Sequence, residues 1–226
     1  MTSLYLGDIL YLILVVPALI CAFLAQGYVK SAFLKYSAVL TGYNSCEIVK
    51  DMLLKNNICD VEIVEGTGFL SDHFDSKRKI ISLSDSVYDK NSISALGVAC
   101  HEAGHALQHK EGYLPLKIRS FILPIVNFAS GAALPIAMLG IIFSHFLIKV
   151  GIILFASTVI FQLLLLPIEF DASKRAVKEL DISLDDNEIN GVKKVLTAAA
   201  LTYVASSLVA VANFLRIILI VNKRRK

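Results

Sequence analysis

Long apolar runs alternate with short charged stretches along this chain. Four runs hold no Asp, Glu, Lys or Arg: Ile9 to Val29, Ser120 to Ile148, Val150 to Ile168 and Val195 to Leu215. A helix needs about 20 apolar residues to cross the hydrocarbon core of a bilayer, so each run predicts a span. Only Lys149 separates the second run from the third, which predicts a helical hairpin turning between His145 and Lys149. The fourth run contains Thr197, Thr202, Tyr203, Ser206, Ser207 and Asn213, and also fits a helix buried against the others. The first is preceded by Met-Thr-Ser-Leu-Tyr-Leu-Gly-Asp, which has no basic region, is followed by no small-x-small site, and is expected to be a retained anchor.

Two polar segments remain, 30–119 and 169–194. In the larger, Ile48, Met52 and Leu53 fall at helical spacing within 45–56. Val61 to Val64 alternates apolar with acidic residues, as a short strand does, before Gly66 and Gly68 break it. Arg78 to Leu83 predicts a second short strand, at the edge of the sheet. Asn91 or Ser92 then offers an N-cap for a helix through Leu107. The expected fold is mainly α, a helical membrane protein of about four spans with a small β-hairpin. It divides into an anchor (1–29), a water-exposed segment (30–119), a transmembrane hairpin (120–168), a second polar segment (169–194) and a C-terminal membrane helix with a basic tail (195–226).

Composition agrees with this division. Apolar residues make up 56% of the 226 and charged residues 18%, against soluble norms of about 45–50% and about 25%. A mean hydropathy of +0.66 argues against a nucleic-acid-binding domain, a disordered chain or an ordinary cytosolic enzyme. The formal net charge of +3 is too small to imply an acidic partner, and much of it sits in Lys223 to Lys226, which reads as a lipid-headgroup contact. Cys21, Cys46, Cys59 and Cys100 have no paired spacing, and free thiols are expected.

The predicted helix before Leu107 contains Cys100-His101-Glu102-Ala103-Gly104-His105. Histidines four residues apart share a helix face, so both imidazoles can reach one metal ion. Zinc suits such neutral nitrogen ligands, at about 2.0–2.1 Å in tetrahedral geometry. Glu102 is rotated about 100° from His101, beside such a metal rather than on it, where it can take a proton from a zinc-bound water whose pKa has fallen toward about 7. A catalytic zinc needs a third protein ligand and an open position. Glu169, in Leu166-Pro167-Ile168-Glu169-Phe170-Asp171-Ala172-Ser173, is the candidate, because two spans lie between it and His105 and return it to the same membrane face. An acid that merely ends a transmembrane helix would look the same.

The metal motif and the Pro-x-Glu-Phe-x-Ala-Ser segment are joined by Leu70-Ser71-Asp72-His73-Phe74-Asp75, Phe161-Gln162-Leu163 and Ala200-Leu201-Thr202-Tyr203-Val204-Ala205. Together they resemble the YugP-like bacterial membrane zinc metallopeptidases, from about Thr41 to Tyr203. More distantly, the chain is similar to the HtpX-like and prenyl-CAAX endopeptidases, whose third zinc ligand is the Glu of Glu-x-x-Ala-Asp. The resemblance implies that Glu169 is that ligand. It departs at Ser173, where those relatives carry an Asp able to orient a ligand histidine; here Ser173 or Asp171 can serve.

The remaining polar candidates are weaker. His109 reads as a last-turn residue favouring the helix C-terminus, His73 as turn chemistry or a contact near the substrate cleft, and His145 as a residue of the opposite membrane face. Tyr203 is the polar aromatic of the fourth run and a candidate oxyanion donor. Arg119 and Arg175 flank spans as interfacial anchors.

The expected protein is a zinc-dependent membrane endopeptidase. His101, His105 and Glu169 hold one zinc per chain, Glu102 is general base and then general acid, and Tyr203 is the oxyanion candidate. Its partners are the lipid bilayer and a peptide or membrane-protein substrate, with no nucleic acid; nothing in the chain gives an oligomeric state. The alternatives are a noncatalytic membrane scaffold with a structural zinc and, less consistent with Asn91, Ser92, Ser94 and Gln108, an intramembrane protease. Lys30, Lys35, Lys117, Arg119, Lys174, Arg175, Lys193 and Lys194 place the catalytic segments on the cytoplasmic face by the positive-inside rule, although with four full spans the basic tail would end on the other side.

Overall fold

The computed structural model describes residues 9–143 and 145–223. It is mainly helical. A short π-helical stretch, Tyr11–Val15, leads into α1 (Val16–Ser37), followed by α2 (Ser45–Lys55), β1 (Glu62–Gly66), β2 (His73–Asp75), β3 (Ile80–Ser84), α3 (Ile93–Glu111), α4 (Leu114–Phe143), α5 (His145–Leu180) and α6 (Asp186–Lys223). The chain forms two compact units. One comprises the residues up to Gln26, Lys117–Pro167 and Leu201 onward; the other comprises Gly27–Leu116 and Ile168–Ala200.

The first unit is built from apolar helix. Three helices among the described residues are long and apolar enough to cross a membrane: Tyr11–Ser37, Phe146–Leu180 and Asp186–Val221. The expected count of about four is one too many on this measure. The run 120–148 is helical, as α4 with Pro124 and Pro135 inside it, but many of its side chains and the whole of Ser144 lie outside the described residues. The residues His145 to Lys149, expected to form the hairpin turn, are instead helical, at the start of α5. Phe23, Phe121, Phe146 and Ile153 are exposed, as lipid-facing side chains are. Two polar residues of the fourth run, Ser206 and Ser207, reach another helix, while Asn213 Nδ2 donates to Val209 O of its own helix. Ser207 Oγ donates to Gln162 O at 3.1 Å, and Ser206 Oγ lies 3.4 Å from Gln162 Oε1. In hydrocarbon such groups are satisfied by a neighbouring helix.

The second unit packs a small sheet and α2 around α3. Asn44 caps α2, its Oδ1 accepting from Cys46 N and Glu47 N. Ser92 caps α3 by accepting from Ala95 N, and Gly112, at φ 65°, ends it in the left-handed conformation. The sheet departs from the expected hairpin. It has three strands in the order β1-β3-β2, with β1 parallel to β3 and β2 antiparallel to it. The hairpin is therefore β2–β3, closed where Asp75 Oδ1 accepts from Lys77 N and Arg78 N. β3, expected at an edge, is central, with Ile81 and Leu83 fully buried, so it cannot receive an added strand.

Helix α3 is the centre of this unit. Ala95, Leu96, Ala99, Cys100 and Ala103 are wholly buried, as are Ala172, Ala176 and Leu180 of α5 and Val192 of α6. Small residues let the backbones approach. A Cβ on Gly97 would meet Val192 at 3.3 Å. One on Gly104 would stand 2.7 Å from the Ala172 carbonyl oxygen and 3.1 Å from its Cα. Since the obstacle is backbone, no rotamer change relieves it. Gly104→Ala is expected to push α5 from α3, destabilising the protein by about 1–3 kcal/mol and lowering its zinc content. Thermal melting together with metal analysis checks this, and a variant matching wild type in both would contradict the close approach.

Candidate metal centre

His101 and His105 project from one face of α3, one turn apart, with ring centroids 4.8 Å from each other and planes at 83°. Helix α5 brings Glu169 to them. From Glu169, the positions 172, 173, 176 and 180 follow at helical spacing, and the Gly104–Ala172 contact lies within one turn of Glu169. Glu169 Oε2 stands 3.2 Å from His101 Nε2 and 3.6 Å from His105 Nε2. The ligand atoms of His101, His105 and Glu169 all lie within 4.8 Å of one another, a spacing that can hold a metal ion. They form the one such cluster among the described residues.

The donor chemistry fits zinc: two imidazole nitrogens and a carboxylate oxygen. The electrostatics favour a cation. Burial lowers the pKa of His105, but its hydrogen bond to Glu169 and the nearby Glu102 carboxylate outweigh it and hold the group at about 9. Positive charge at this point is thus stabilised although the site is largely out of water.

Each outer imidazole nitrogen has its own partner. His101 Nδ1 lies 3.1 Å from Ser173 Oγ, and His105 Nδ1 lies 3.0 Å from Gln108 Oε1. Sequence reading left Ser173 and Asp171 as alternatives for orienting a ligand. The structure gives each a place: Ser173 serves His101, while Asp171 accepts from Gln108 Nε2 at 2.9 Å and from Arg175 Nε at 2.6 Å. Arg175 is more than the expected interfacial anchor. Its other arm donates to Glu111 at 2.8 Å and holds that carboxyl below its ordinary range.

Glu102 is 7% exposed and has no hydrogen-bond partner among the described residues. Its carboxylate acts on His105 electrostatically without joining the triad, as the 100° rotation requires. His109 is exposed in the last turn of α3, with its ring edge-on to Phe74. His73 is exposed in β2, its Nδ1 2.9 Å from Ser71 O. The side chain of His145 lies outside the described residues. Tyr203 is half-buried in the part of α6 that belongs to the other unit. All four cysteines are free, and burial pushes the Cys100 thiol well up.

Residues 11–222 match the family described as "Putative neutral zinc metallopeptidase". The chain belongs to this family. It is also 48% identical over 218 residues, 93% of this chain and 96% of the relative, to a protein of Bacillus subtilis (strain 168) named "Putative membrane protease YugP". No solved structure matches. The family name carries zinc, and the geometry above supplies a place where this chain can hold it.

The sequence signal missed was Gln108, three residues beyond His105. Its spacing puts it on the ligand face, but a helical Gln carries no meaning until its partners are known.

Glu169 and Asp171 make opposite predictions. Glu169→Gln is expected to lower zinc per protein, because an amide is a poor ligand. Asp171→Asn keeps an oxygen able to accept from Gln108 and is expected to retain most of the metal. Metal analysis of the two purified variants decides: loss in Asp171→Asn with retention in Glu169→Gln would overturn the ligand set.

Proposed function

We propose that this protein is a zinc-dependent membrane endopeptidase that cleaves membrane-tethered or juxtamembrane polypeptide, with its catalytic segments on the cytoplasmic face. One observation carries the reading: Glu102, 7% exposed and next to His101 on α3, acts electrostatically on His105 of a His-His-Glu cluster able to hold a metal. His101, His105 and Glu169 would hold one zinc. When bound there, zinc polarises a scissile carbonyl and lowers the pKa of a water toward about 7. Glu102 takes the proton of the attacking water as the new C–O bond forms, then delivers it to the amine as the C–N bond breaks.

The membrane-side substrate is supported by the three helices apolar enough to span a bilayer, and by Glu169 following the apolar run within one continuous helix, α5. The curated relative is itself named a membrane protease. A noncatalytic scaffold with a structural zinc accounts less well for the site. Structural sites are closed by four protein ligands, and three residues cluster here among those described.

Glu102→Gln is nearly isosteric but cannot accept a proton. The variant is expected to keep its zinc and lose about 10²–10⁴-fold in hydrolysis. The assay uses one cleavable sequence in three forms: tethered on the cytoplasmic side, tethered on the opposite side, and soluble. Wild type is expected to cleave the first best. Full activity in Glu102→Gln would sink the peptidase mechanism, and equal cleavage of all three forms would sink the substrate class and orientation.

A further inference from the structure

Gln108 is wholly buried and its side chain touches both elements of the metal cluster. Its Nε2 donates to Ile168 O at 2.8 Å and to Asp171 Oδ2 at 2.9 Å. Both of these atoms can only accept, one being a backbone carbonyl and the other a carboxylate already held by Arg175 Nε. The amide therefore cannot flip: reversal would set Oε1 against two acceptors. With Nε2 fixed, Oε1 must face His105 Nδ1, which it meets at 3.0 Å. An amide oxygen only accepts, so Nδ1 must carry the proton. In a neutral imidazole the lone pair is then on Nε2, the nitrogen that faces Glu169.

We propose that Gln108 is a positioning residue that fixes His105 in the tautomer able to ligate metal, through a chain running Glu111–Arg175–Asp171–Gln108–His105. The inference rests on the metal reading above and adds how this chain prepares one ligand for it. His101 is served separately by Ser173, whose hydroxyl can donate or accept and so imposes no tautomer. The two histidines of the motif thus differ: His105 is held rigidly in one form and His101 adaptably. The same amide also joins α3 to the carbonyl that precedes Glu169, so a test must separate the acceptor role from the clamp.

Two double variants do this. Gln108→Met/Asp171→Asn and Gln108→Glu/Asp171→Asn both lose the bond to Ile168 O. Only the second keeps an oxygen that accepts from His105 Nδ1, with the amide at 171 able to donate to its carboxylate. Zinc affinity is read by competition with a chelator. The Met variant is expected to bind about 10–100-fold more weakly than wild type, and the Glu variant within about threefold of it. Equal weakening of both, or wild-type affinity in the Met variant, overturns the proposal. If the variants do not fold, zinc-loaded wild type carrying ¹⁵N-histidine decides: His105 must be ligated through Nε2 with a proton on Nδ1, and ligation through Nδ1 refutes the inference. A wild type that binds no zinc overturns the metal reading itself, whereas a zinc-binding wild type with indifferent variants overturns this inference alone.

Discussion

The approach of two backbones at Gly104 and Ala172 is the constraint on which the site depends. A Cβ at position 104 would stand 2.7 Å from a carbonyl oxygen, so α3 and α5 lie together only because that Cβ is missing. Their contact sets the register of α5 against the two histidines. It places Glu169 less than one turn before Ala172 and Ser173 directly after it, so one helix supplies both the carboxylate at the Nε2 atoms and the hydroxyl at His101 Nδ1. Gln108 then secures the same junction from α3, through the carbonyl of Ile168.

Charge arrangement follows from that packing. Glu102 and Glu169 are both 7% exposed, and buried carboxylates are costly unless paired. Glu169 finds the two imidazoles, and Glu102 acts electrostatically on His105. A cation between the triad offsets this concentration of negative charge, which is the electrostatic reason the cluster suits a metal. Asp171, two residues past Glu169 on the same helix, is instead neutralised by Arg175, which also pairs with Glu111. Carboxylates so close in sequence are thus divided, one toward metal and one toward the scaffold.

Much of this was legible in the sequence, for physical reasons. Histidines at a four-residue spacing on a capped helix can hardly avoid sharing a face, and an acid following an apolar run of spanning length returns to the level where the previous polar segment ended. Ser92 as a cap and the strands near Val61 and Ile81 were likewise readable from local chemistry. What failed was non-local. β2 has three residues, too few to show a period, and without it β1 and β3 read as a hairpin rather than a parallel pair around a central strand. The link from Gln108 to Asp171 joins residues 63 apart, and Arg175 looked like any basic residue after a span. The polar side chains of the fourth run weakened its reading as a span, because their partners, such as Gln162, lie on another helix.

The central claim is that three side chains of α3 and α5 hold a zinc that this chain uses for peptide hydrolysis. Metal content and cleavage of a membrane-tethered peptide, measured on the same purified protein before chelation, after it and after zinc is restored, test it most directly. The account predicts about one zinc per chain, hydrolysis lost with the metal and regained on its return. Protein that holds no zinc, or that cleaves equally well once stripped of it, would contradict the account.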